Sequence, residues 1–527
     1  MASHSYAVQD RAPTVLLPEQ AAAAQATEPH TYGQILKSTA LIGGSSVIGI
    51  GFGILRTKAM ALFLGPAGVG LMGLYGSIAD VAQSLAGLGI QSSGVRQIAA
   101  AVGSNDDERI ARTAVVLRRV SILLGVLGAL LLLVLAAPIS RFTFGGAQQT
   151  AGVSLLSLAV LFRLVSAGQG ALIQGMRRIS DLASMTVFAA LFGTVITIPL
   201  VYFFREQGIV PSIVAVAAVS ILTSWWYSRK VRIGTPSITA SHVAQEAAAL
   251  LKLGMAFMAA GFLTVGAAYV IRIIVLRKAG FEAAGLYQAA WALGGLYVGF
   301  ILQAMGADFY PRLTAVARDK VECNRLVNEQ AQISLLLAGP GVIATLTFAP
   351  LVMGIFYSAE FRAAVGLLRW ICLGMTLRVV AWPMGFILIA RGAQQIFFWT
   401  ELAAAVVHVG LAWLLVARFG LNGAGAAFLG LYVWHGCLIY ATVRRLSGFR
   451  WSAANLTLGL VFLPLTALVF CGFYLFPAWP ATIVGIVATF ASAGYSVHTL
   501  VRLLPSASLP YAVRSWLLRF GLAAAVD

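Results

Sequence analysis

Polar and apolar positions along this chain alternate in long blocks, not residue by residue. Apolar runs of roughly 20 residues recur from one end to the other, each long enough as a helix to cross the hydrocarbon core of a bilayer. They fall near residues 35–57, 69–98, 114–138, 150–175, 183–204, 209–228, 249–276, 284–307, 332–357, 363–390, 396–417, 422–443, 455–476 and 481–503. About fourteen membrane-spanning helices are therefore predicted. The longest polar connections, near 99–113, 229–248 and 308–331, are too short to fold as separate domains. The blocks also repeat. Gly70-Leu71-Met72-Gly73-Leu74-Tyr75 returns about 215 residues later as Gly285-Leu286-Tyr287-Gln288-Ala289-Ala290. At the same spacing Arg163 in Leu161-Phe162-Arg163-Leu164 matches Arg378 in Thr376-Leu377-Arg378-Val379, and Gly208 lies 212 residues before Gly420. An all-α integral membrane protein with two parallel halves follows, built like a transporter whose site lies between its halves. The expected organisation is a polar tail over 1–32, a first half over 33–232 (spans 1–6), a second half over 233–446 (spans 7–12), and two further spans with a tail over 447–527, outside the repeat.

Composition excludes the soluble classes. The chain of 527 residues is 60% hydrophobic and 10% charged, with a mean hydropathy of +0.88, whereas a soluble domain carries about 25% charged residues. A net charge of +18 invites a nucleic-acid partner, but its distribution argues against one. With the N-terminus in the cytoplasm, inward-facing ends carry about three times as many Lys and Arg as outward-facing ends, which is the positive-inside rule. An even span number puts both termini on that side. The first 30 residues lack a basic region leading into an apolar one, so no signal peptide is expected; they read as a disordered cytoplasmic tail. Cys323, Cys372, Cys437 and Cys471 are scattered without a CxxC pattern, so neither a metal site nor a disulfide framework is expected.

Several activities lack their motifs. There is no GxxxxGK[ST] phosphate cradle, and no cofactor is expected. No long outer loop carries the paired carboxylates that a membrane glycosyltransferase, polymerase or ligase would need. The six histidines form no cluster along the chain; His408 and His435, inside apolar runs, read as packing or hydrogen-bonding residues. A transporter without bond-making chemistry fits these absences, and a non-transporting scaffold remains open.

Charges inside apolar runs are costly and mark cavities or partners. Arg56, late in the first span, and Arg272, late in the seventh, correspond within one residue across the repeat, one cation per half at similar depth. An anionic headgroup held between the halves would meet both, and the planar guanidinium suits phosphate; snorkelling to the outer headgroups is the alternative. Lys58, nearer the interface, and the matched pair Arg163 and Arg378 are further headgroup candidates. Asp80, inside the second span, is expected to bind a coupling cation, take a proton or pair with Arg56, the pairing being preferred. Asp308, shortly before Pro311, reads as an ion-coupling group or a helix-end cap. Gly49, Gly51 and Gly53 crowd the first span and Pro383 interrupts the tenth, which makes both candidate hinges.

One stretch carries a family resemblance. Phe63-Leu64-Gly65-Pro66-Ala67-Gly68-Val69-Gly70-Leu71-Met72-Gly73-Leu74-Tyr75, followed by Gly87-Leu88-Gly89-Ile90, resembles the opening of polysaccharide-export flippases. More specifically, it resembles the O-antigen and enterobacterial-common-antigen translocases within the multidrug/oligosaccharidyl-lipid/polysaccharide exporter superfamily. Ala283-Ala284-Gly285-Leu286-Tyr287 resembles the second-half counterpart, and the similarity covers about 33–446. The resemblance implies two six-helix lobes around a central cleft, alternating access, and an undecaprenyl pyrophosphate-linked oligosaccharide as substrate. That substrate would move from the cytoplasmic to the outer leaflet of a bacterial inner membrane for lipopolysaccharide or related surface polysaccharide. Membrane lipids and polysaccharide polymerase machinery are the implied partners. The two extra C-terminal spans depart from this pattern and resemble the peptidoglycan-precursor branch. The alternative function is a cation-coupled exporter of drugs or small amphiphiles, which needs cleft carboxylates; Asp80 is the main candidate.

Overall fold

Two glycines break the two longest helices at matching places in the repeat. In the computed structural model, which describes residues 18–104, 106–231 and 240–503, α1 (Pro18–Gly87) is interrupted at Gly65 (φ 63°, ψ −172°) and α8 (Ala240–Ala315) at Gly280 (φ 89°, ψ 176°). Only glycine enters this backbone region without strain. Each long element is thus two helical limbs that meet at a bend. α1 begins at Pro18, inside the stretch expected as a tail, where an Ala-rich run favours helix.

The remaining elements follow the apolar blocks: α2 (Ile90–Gly103), α3 (Asp107–Val134), the short α4 (Ala136–Phe144), α5 (Thr150–Gly175), α6 (Ile179–Phe204), α7 (Ile209–Ser228), α9 (Lys320–Thr347), the short α10 (Ala349–Phe356), α11 (Val365–Ala390), α12 (Gln394–Phe419), α13 (Leu421–Ser447), α14 (Ala453–Leu475) and α15 (Ala478–Leu503). No strand occurs among the described residues. Ten helical stretches among them are long and apolar enough to cross a membrane, against the fourteen expected. Two of the ten run through breaks where separate apolar blocks predict span boundaries: Ile48–Gly87 contains Gly65, and Ile179–Ser228 joins α6 to α7.

The run expected at 69–98 is not one helix. Leu88 (φ 45°) and Gly89 (φ 66°) adopt left-handed conformations in succession, ending α1 and starting α2. The matching place in α8 stays helical, so this break is not inherited with the repeat.

Packing follows the repeat. Before residue 231, α3 lies on α5, α5 on α7, and α1 on α6; after 240, α11 lies on α13 and α9, and α12 on α13. α14 and α15 dock on α9, with Phe462 beside Gly339. α1 and α8 join the two sets along the duplicated motif. A Cβ at Gly70 would lie 2.5 Å from the Phe281 carbonyl oxygen, and one at Gly285 would overlap the Pro66 carbonyl. The glycines of the repeat are therefore small because backbone touches backbone there. A second such contact, Gly89 against Gly254, lies at the other end of limb 66–87, about 30 Å away at 1.5 Å per residue.

Candidate functional site

Two short helices reveal what some of the interfacial cations do. Lys58, on the first limb of α1, donates to the Gly354 carbonyl at 2.6 Å and to that of Tyr357, at the C-terminus of α10. Reciprocally, Arg277 of α8 donates to the carbonyls of Arg141 (2.8 Å) and Phe142 (2.5 Å) in the last turn of α4. α4 and α10 occupy equivalent places in the repeat, so a cation from each half caps a helix of the other. The caps answer orphan carbonyls and the negative end of the helix dipole. Lys58→Met should therefore lower stability by about 2 kcal/mol and Arg277→Met, whose side chain is more exposed, by less; thermal unfolding of the detergent-purified protein measures both.

Asp80 pairs with Arg163, not with Arg56 as expected: the Arg163 guanidinium lies 2.8 Å from the carboxylate, α5 reaching across to the second limb of α1. More than half of the Asp80 side chain surface stays exposed. It faces a cavity of about 320 Å³ with Gln83, Ser84, Gln91 and Ser92. Met258 and Gly261 of α8 complete the wall, so residues of both halves line this space.

Arg378, the repeat partner of Arg163, lines a different cavity of about 370 Å³ within the second half. Glu401, His408, Tyr432 and His435 line it too, together with Tyr287, Trp291 and Trp382. The His435 imidazole lies 3.7 Å from the Glu401 carboxylate. His408 and His435, which the sequence leaves apart, thus line one cavity, His435 beside a carboxylate. Helical spacing is the signal the sequence offers for this: Glu401 and His408 are two turns apart on α12, and Tyr432 and His435 one turn apart on α13.

Arg272 lies at the seam between the halves. Its Nε donates to Gln288 Oε1 at 2.9 Å, and the same oxygen lies 3.0 Å from where a Cβ of Gly73 would stand. Arg56 lies on the α6 side of α1, 3.6 Å from the Cβ position of Gly193, and makes no hydrogen bond or ion pair among the described residues. The two arginines are not brought into one contact. The Asp308 side chain lies outside the described residues, and α8 continues past it to Ala315.

The first limb of α1 is helical through Gly49, Gly51 and Gly53, and a Cβ at any of them would meet nothing within 4 Å. Close packing is therefore not what keeps them small. Pro383 sits inside an unbroken α11 beside Trp382 of the second cavity.

Similarity to known proteins agrees with this architecture. The model of the polysaccharide biosynthesis protein family matches residues 59–366. The Lipid III flippase of Escherichia coli (strain K12) is 23% identical over 418 residues, which cover 76% of this chain and 95% of that protein; the Lipid III flippase of Shigella flexneri matches equally. Among solved structures, the lipid II flippase MurJ in an inward closed conformation superposes with a TM-score of 0.60 at 13% identity, over 88% of this chain and 100% of that one. The inward-facing conformation of a multidrug resistance MATE family transporter of the MOP superfamily gives 0.58 at 18% identity, over 75% and 94%.

Proposed function

The chain belongs to the polysaccharide biosynthesis protein family, and from that premise we propose that it is a flippase for a lipid-linked oligosaccharide. The carrying observation is the match to Lipid III flippases over almost their whole length, on a fold of the kind that MurJ also has. In this reading, the halves 33–232 and 233–446 rock about the α1–α8 seam, and undecaprenyl pyrophosphate is the lipid carrier. The headgroup meets Arg56 and Arg272, with Arg378 in the second-half cavity and Arg163, paired with Asp80, as further candidates. The glycan passes from the cytoplasmic to the outer leaflet of a bacterial inner membrane, where polymerising machinery takes it up. Both termini lie in the cytoplasm. No bond is made or broken, so the chain is a transporter and not an enzyme. Bends at Gly49–Gly53 and Pro383 would accompany the rocking.

One observation favours the second reading, a cation-coupled exporter of small amphiphiles: the carboxylate and imidazoles gathered in the second-half cavity. A single experiment separates the two. In liposomes holding the purified protein, a fluorescently labelled undecaprenyl pyrophosphate oligosaccharide should change leaflet well above the protein-free rate. A folded protein that leaves this lipid in place but drives a lipophilic cation along a pH gradient would establish the exporter instead.

A further inference from the structure

The cavity beside Asp80 has features that no headgroup candidate needs. Its wall is broken helix: the left-handed Leu88 and Gly89 turn α2 so that Gln91 and Ser92 face the same space as Asp80, Gln83 and Ser84 of α1. Interrupted backbone in a membrane protein is tolerated where it lines a cavity, and such interruptions mark binding sites. The break is absent from the matching part of α8, so the duplicated fold does not explain it.

The chemistry of the wall is specific. Gln83, Ser84, Gln91 and Ser92 make no side-chain hydrogen bond among the described residues, although Gln83 and Ser84 are half-buried on a stretch apolar enough to span the membrane. Hydrogen-bonding groups in such a place are costly unless water or a ligand satisfies them. Asp80 is already neutralised by Arg163, yet much of its surface remains open to accept hydroxyl hydrogens. Two amides, two hydroxyls and a neutralised carboxylate form a set of donors and acceptors with little net charge. That set does not match a pyrophosphate, which calls for unpaired cations, nor a lipid tail. It matches the hydroxyls of a sugar ring. Met258 brings the second half against this space, so what is bound here touches both halves.

We propose that Gln83, Ser84, Gln91 and Ser92, with Asp80 held by Arg163, form a subsite for the neutral sugars of the substrate nearest the pyrophosphate. The proposal rests on the flippase reading and deepens it. The subsite lies at the end of limb 66–87 remote from Gly65, the end that the charge distribution assigns to the cytoplasm, where the glycan would enter.

Binding tests it without requiring transport. Full-length protein in detergent is titrated with undecaprenyl pyrophosphate and with the same lipid carrying a short neutral oligosaccharide, and occupancy is read by native mass spectrometry. The wild type should bind the glycosylated lipid at least about tenfold more tightly. Gln83→Leu with Gln91→Leu should erase that preference. Ser84→Ala with Ser92→Ala, which removes hydroxyls at almost constant bulk, should reduce it about threefold and keeps the test available if the leucine pair fails to fold. Equal binding of both lipids by the wild type, or a preference that survives in the folded variants, overturns the subsite and leaves the flippase reading intact. Wild-type protein that binds neither lipid overturns both.

Discussion

Gly285→Leu should abolish lipid transport and lower the stability of the purified protein by about 3 kcal/mol or more. The reason lies in what opposes the new side chain. A Cβ at Gly285 would overlap the Pro66 carbonyl oxygen, and the Gly70 nitrogen lies 3.0 Å from it. Both obstacles are backbone, so no rotamer change can relieve them; the two limbs would have to separate. They carry the duplicated motif that joins the halves, so separation there loosens the whole seam. Gly70→Leu should act in the same way, since Phe281 and Gly285 backbone atoms lie 2.5 and 2.7 Å from its Cβ position. Gly76→Ala provides the contrast. It lies on the same limb as Gly70, a Cβ there meets nothing within 4 Å, and replacing a helical glycine by alanine favours the helix by roughly 0.5–1 kcal/mol. Thermal unfolding and liposome transport of the three variants, side by side, should divide them sharply. A Gly285→Leu protein as stable and active as Gly76→Ala would mean that the seam does not have this geometry.

The same glycines show why much of the architecture is legible in the chain alone. A bilayer demands about 20 apolar residues per crossing, so helix positions are written directly in the hydropathy blocks. Backbone contact between the halves demands glycine in both copies, so the seam appears as a repeat. Other features leave weaker marks. Leu88 and Gly89 have the same apolar character as the helix they interrupt, so the break disappears inside the run at 69–98. Lys58 and Arg277 look like interfacial charges because their acceptors are main-chain carbonyls, which no sequence motif identifies. Consecutive spans suggest Arg56 as the partner of Asp80, whereas the fold brings α5 and Arg163 to it instead. Glu401 and His408 share one run and His435 lies in the next, so they converge only when α12 and α13 pack; the helical spacing within each run is visible in the chain, but the facing of the two helices is not.

Arg56→Ala combined with Arg272→Ala should reduce transport of the lipid-linked oligosaccharide by about 100-fold while leaving a folded protein. A hydrogen bond to a charged group contributes about 1.5–3 kcal/mol, so removing two guanidinium–phosphate hydrogen bonds together corresponds to roughly two orders of magnitude or more. Arg56 has no acidic partner among the described residues, and Arg272 is held only by a neutral amide, Gln288. Neither charge is therefore neutralised by a described carboxylate, unlike that of Arg163, and both remain available to an anion. Their separation in this structure also gives the pair a use. Arg56 faces α6 and Arg272 the seam, so in the proposed mechanism a pyrophosphate that engages both would do so during a shift of the halves. Arg56→Lys with Arg272→Lys should keep the charge, lose the bidentate fork and recover only part of the rate. Single variants add a mechanistic criterion. If the pyrophosphate bridges the arginines during the shift, either single alanine should cost nearly as much as the pair, since one remaining guanidinium cannot draw the halves together. If the two arginines act separately, the single reductions should multiply to the double one. Full transport by the double alanine variant would remove both arginines from the site and shift attention to Arg378, which lines the second-half cavity.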